Sequence, residues 1–92
     1  MKVQWTKTSL SDLNRLYDFV KPIHPASAQK LIDGLMKAAG RIQIHPRLGE
    51  QLFEFSPREL RCIVIGKYVM HYEIANEMIF VLRIWHAREH RN

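Results

Sequence analysis

The spacing of apolar positions along this chain changes from strand-like to helical and back again. Val3 and Trp5 alternate with Lys2, Gln4 and Thr6, which predicts a short first strand. Leu10, Leu13, Leu16, Tyr17 and Val20 then recur at helical spacing. Asp12, Asn14, Arg15 and Asp18 fall on the face expected to meet water. Thr8 or Ser9 is placed to cap this helix by accepting from N–H groups of its first turn, and Pro22 ends it. Beyond the connector Pro22-Ile23-His24-Pro25, the last proline suits the first position of a second helix. Ala28, Leu31, Ile32, Leu35, Ala39 and Ile42 line one face of that helix, which runs to about Ile44. So short a link between two helices predicts an antiparallel hairpin.

His45-Pro46-Arg47-Leu48-Gly49 breaks the helical pattern, and the period returns to two. Phe53 and Phe55 suggest a brief strand of their own. Leu60 to Ile65 makes a longer strand, Gly66-Lys67 a two-residue turn, and Tyr68 to Ile74 the next strand. Ala75-Asn76-Glu77 turns the chain into Met78 to Trp85. That run, rich in strand-preferring types and too short to span a membrane, reads as a strand buried on both faces within the sheet. The order is strand, helix, helix, then a three-stranded antiparallel meander. All of 1–92 forms one domain, because a chain of 92 residues has no room for a second core.

Composition narrows the class of partner more than the class of chemistry. An apolar fraction of 47% excludes a disordered chain. A net charge of +5 favours an acidic partner: nucleic acid, an anionic membrane surface or an acidic protein. The single cysteine, Cys62, can form no internal disulfide and is expected buried as a small hydrophobe. With no signal-peptide pattern at the start, it points to the cytoplasm. Five histidines stand without acidic or cysteine ligands at recognised intervals, so no metal is expected. No Gly-rich phosphate loop or nucleophile elbow is present either, and no cofactor is expected.

Arg58, Arg61, Arg83, His86 and Arg88 are the residues that point to function, and a mixed sheet would bring them to one edge. His90 and Arg91 follow closely. Cations gathered around an imidazole suit RNA cleavage by the 2′-hydroxyl, where charge is stabilised and a proton shuttled. The same residues suit a basic docking surface, with Arg forks holding carboxylates or phosphates, or solubility alone. Most of the aromatic residues sit in strand patterns and read as core.

Taken together, the chain resembles the ParE/RelE superfamily of bacterial type II toxins. The likeness rests on the first strand ending in Trp5, the Leu-rich hairpin and the Pro46-to-Gly49 break. It is strongest in Arg58-Glu59-Leu60, in Tyr68 to Ile74 with its two tyrosines, and in Val81-Leu-Arg-Ile-Trp-His86-Ala-Arg88. The resemblance implies an α+β fold, β-α-α-β-β-β, with the hairpin packed on one face of a small twisted antiparallel sheet. It also implies a cognate acidic antitoxin as partner. The Arg-Glu-Leu strand and the closing His-x-Arg are most similar to the ParE branch, described as poisons of DNA gyrase. There Arg58, Arg61, Arg83, His86 and Arg88 would contact the target. In the RelE branch, whose members cut messenger RNA on the ribosome, His86, Arg88, Arg83 and Arg61 would be the catalytic set. Cys62, Ile63 and Val64 stand where RelE-like proteins tend to have lysines. A basic nucleic-acid-binding module without toxic action is the third reading.

Overall fold

A computed structural model describes residues 1–89. The strand β1 (Lys2–Trp5) leads into α1 (Lys7–Val20) and α2 (Pro25–Ile44). A two-residue strand, β2 (Glu50–Gln51), and a 3₁₀ turn over Phe53–Phe55 precede the meander β3 (Glu59–Ile65), β4 (Tyr68–Ala75) and β5 (Met78–His86). The sheet has five strands in the order β1-β5-β4-β3-β2. It is mixed rather than antiparallel throughout, because β1 pairs parallel with β5 from Lys2↔Met78 to Trp5↔Val81. The helix hairpin carries the chain from β1 at one edge of the sheet to β2 at the other, and the meander then returns it to β1's side.

Leu16, Leu31, Leu35 and Ile42 from the helices meet Ile63, Met70, Tyr72, Ile74, Ile79, Val81 and Ile84 from one sheet face. As expected, β5 has neighbours on both sides, β1 and β4. Only its helix-facing residues are fully buried, however, and the opposite face is half-buried. Register decides which residues go where. The β4–β5 ladder pairs Tyr72 with Val81 but His71 with Arg83, so Leu82 is an extra residue. This bulge shifts the alternation by one and lets both Val81 and Ile84 reach the core.

The turns follow the backbone rules. Gly66 takes φ 59° at the first loop position of the β3–β4 hairpin. Asn76 and Glu77, both at positive φ, form the two-residue loop between β4 and β5.

The structure corrects four local expectations. Thr6, not Thr8 or Ser9, caps α1, accepting from the Ser9 N–H at 3.1 Å while its own hydroxyl donates to the Val81 carbonyl at 2.8 Å. Phe53–Phe55 is a 3₁₀ turn, and the brief strand lies just before it at Glu50–Gln51. Cys62 is half-buried rather than buried, because its partner in register, His71, lies on the face away from the helices. Asp12, expected on the wet face, is 5% exposed.

The reason for the last lies in the edge of β5. Strand β1 covers that edge only as far as Val81, and α1 closes the remainder. The Asp12 carboxylate accepts from the Ile84 N–H at 2.9 Å, taking the place of a missing strand partner.

Candidate functional site

The five residues singled out from the sequence do not converge. Arg58 makes a two-pronged ion pair with Glu73, at 3.0 and 2.8 Å. Arg61 is largely buried; it donates to Glu59 at 2.8 Å and to the Gly49 carbonyl at 2.7 Å, fixing the loop before β2. Arg83 grips Asp12 with both arms, at 2.8 and 3.1 Å. His86 and Arg88 stand at the far end of β5, where His86 pairs in register with Tyr68. Arg61 registers with Tyr72, four residues beyond Tyr68 along β4 and so about 13 Å away. The expectation of a single basic edge is thus wrong: antiparallel pairing sends the start of β3 and the end of β5 to opposite ends of the sheet. His90 and Arg91 lie outside the described residues.

Each committed arginine leaves a mark on its partner's ionisation. Burial pushes the Asp12 carboxyl up, but hydrogen bonds from Arg83 and the Ile84 N–H outweigh it and hold the pKa below the ordinary aspartate value. Glu59 behaves the same way, its burial offset by Arg61 and Arg47. Glu73 is held low chiefly by its hydrogen bonds with Arg58. Tyr72 goes the other way: burial raises its pKa, while its hydroxyl donates to the Pro46 carbonyl at 2.7 Å and accepts from the Gly49 N–H at 2.9 Å.

What does gather side chains is an open groove of ≈ 1110 Å³ between the helix hairpin and the β3–β4 end of the sheet. Leu16, Phe19, Leu31, Ile65 and Tyr68 form an apolar floor. Arg15, Lys30, Lys67 and Arg88 surround it, with Glu89 the one acid among the lining residues. His86 lines it too; its ring meets Tyr68 edge-on at 5.4 Å, and its Nδ1 accepts the Arg88 N–H at 3.1 Å. Of the five sequence candidates only His86 and Arg88 reach this groove. Sequence reasoning missed Arg15, Phe19, Lys30 and Lys67. Phe19 carried a usable signal: it is an apolar residue outside the core stripe of α1, and it is 71% exposed.

Among the described residues no group of His, Cys, Asp and Glu side chains could hold a metal ion. No described helix is long and apolar enough to cross a membrane.

The class of structure is a helix hairpin on one face of a small mixed sheet, with a cation-rimmed apolar groove where they meet. The chain belongs to the ParE toxin family of type II toxin–antitoxin systems, parDE, whose family model matches residues 3–91. It is similar to Toxin RelE2 of Caulobacter vibrioides, 33% identical over 86 residues that cover 94% of each chain. Its fold matches a chain of the chromosomal ParDE toxin–antitoxin system from P. aeruginosa at a TM-score of 0.76. That match has 20% identity and covers 94% of this chain and 95% of the other.

Proposed function

We propose that this toxin acts in the cytoplasm by binding DNA gyrase, and that a cognate acidic antitoxin neutralises it. The observation that carries the choice of target is the state of the sheet's arginines. Arg58, Arg61 and Arg83 are each bound to a carboxylate of the chain itself. Cleaving a phosphodiester draws on cations held ready around the reacting atoms, and a cation neutralised by its own neighbour supplies little of that field. In this reading Arg61 and Arg83 hold the scaffold, while Arg58, His86 and Arg88 offer contacts to the target. A ribosome-dependent endoribonuclease is the second reading, favoured by the meeting of His86, Tyr68 and Arg88 at one end of the groove.

The test is gyrase supercoiling and ribosome-dependent messenger cleavage measured side by side with the purified protein. Gyrase inhibition without cleavage is expected. His86→Gln keeps a polar side chain but removes the imidazole that proton transfer would need, so toxicity should fall little. Arg88→Ala should weaken target binding by about 1–2 kcal/mol, as loss of a charge-assisted contact does. Ribosome-dependent cleavage that drops about 10²–10⁴-fold in His86→Gln would instead establish the ribonuclease.

A further inference from the structure

One face of the sheet turns away from the helix hairpin, and its side chains have an order of their own. Strand pairing sets Val64, Val69 and Trp85 side by side across β3, β4 and β5. Cys62, His71 and Arg83 form the next row, and the row beyond it begins with Leu60 and Glu73. None of these residues joins the cluster beneath the helices. At one end the 3₁₀ turn packs against β3, and Leu60 is buried. At the other end the face is open, and Val64 is 65% exposed.

The charges around this apolar row are unevenly placed. Arg58 is paired with Glu73 and Arg83 with Asp12, and in each pair the acid is the buried member. The side chains are 57% and 16% exposed in the first pair, 38% and 7% in the second. Each guanidinium uses Nε and Nη2 on its carboxylate, so Nη1 makes no hydrogen bond among the described residues. Exposed Lys2 adds a cation at the β1 edge, and exposed Glu50 an acid beside Cys62. A partner would therefore meet an apolar centre with arginine at its rim, the make-up of a protein–protein contact. Nucleic acid is held through its phosphates and by stacking on open aromatic faces. Here Val64 and Val69 are aliphatic, and the Trp85 ring already meets His71 edge-on at 4.5 Å.

We propose that the gyrase target docks on this face, laying an apolar segment flanked by carboxylates over Val64, Val69 and Trp85, with its acids on Nη1 of Arg58 and Arg83. This rests on the reading of gyrase as the target, and names the surface that meets it. Val64 and Leu60 are four residues apart on β3, about 13 Å, which about nine residues of a single helix would cover.

The experiment measures inhibition of gyrase supercoiling by the purified full chain and two variants, with the thermal midpoint of each. Val64→Glu puts a charge where the apolar contact forms and should raise the half-inhibitory concentration about tenfold or more. Met36→Glu, at an exposed position of α2 on the other side of the sheet, should leave it unchanged. A second measurement needs no variant. Cys62 is the single cysteine and lies half-buried on this face, where burial pushes its thiol pKa up. Its alkylation at alkaline pH, followed by mass, should slow severalfold in the presence of excess gyrase. A folded Val64→Glu variant that inhibits as well as the parent chain overturns this surface and leaves gyrase as the target. So does a Cys62 alkylated as fast in the complex as alone, a result that decides by itself should Val64→Glu unfold. Absence of inhibition by the parent chain overturns both readings, as does protection of Cys62 by ribosomes and not by gyrase.

Discussion

Asp12 shows most clearly what a single residue does here that its neighbours in sequence do not announce. An aspartate flanked by Ser11 and Leu13 on an amphipathic helix reads as solvated, and only the three-dimensional edge of β5 explains its burial. Its carboxylate satisfies the Ile84 N–H and both arms of Arg83. Asp12→Ala should therefore cost about 1–3 kcal/mol, mostly from a backbone N–H left unpaired in the core. Asp12→Asn keeps an acceptor and should cost less. Because the folded pKa of Asp12 lies below its unfolded value, its contribution is present above the unfolded value. It disappears as pH falls through the folded one. Chemical denaturation of the parent chain should thus lose stability below about pH 4, and Asp12→Asn should lose less of it. A parent chain whose stability is flat from pH 7 to pH 3 would contradict this.

At the scale of elements, periodicity located both helices and all three long strands, since each buries a regular stripe. It did not reveal β2. Two residues are too few to show alternation, and Glu50–Gln51 is held by pairing with Arg61 and Cys62 rather than by burial of its own side chains. It also missed the bulge at Leu82, because an unbroken apolar run shows no phase to shift. That bulge separates two neighbours that look equivalent in sequence. Ile84 is fully buried beneath the helices, while Trp85 lies half-buried on the other face, edge-on to His71 at 4.5 Å. Ile84→Ala should cost about 2–5 kcal/mol. Trp85→Ala should cost less than the smaller residue beside it, about 1–3 kcal/mol, as fits partial burial. Urea melts of the two variants check the order, and the reverse ranking would mean that the bulge is absent.

For the whole molecule, the net charge of +5 suggested an acidic partner class, but not where such a partner would bind. The residues that frame the groove come from α1, α2, the β3–β4 turn and the segment after β5. No single stretch of sequence contains them, and hairpin packing alone brings them together. The basic stretch near the chain's end was legible as a charge cluster. Its division into committed arginines and available ones was not, because the carboxylate that takes up Arg83, Asp12, lies 71 positions away in sequence. Family likeness supplied what periodicity could not, placing the hairpin on one face of the sheet.

The pairing of β1 with β5 also sets an order of assembly. Thr6 and Val81, 75 positions apart, must meet before that edge can close, whereas the meander β3–β4–β5 is joined by two-residue turns. Local pairings form with little loss of chain entropy and distant ones with more, so the meander should assemble first and β1 should dock last. Four residues long and at the sheet's margin, β1 should also open before the strands of the meander. Native-state hydrogen exchange should find the paired amides of β1 exchanging through local openings, while Met70 and Tyr72 exchange only on global unfolding. Equal protection of the two strands would mean that the molecule opens as one unit.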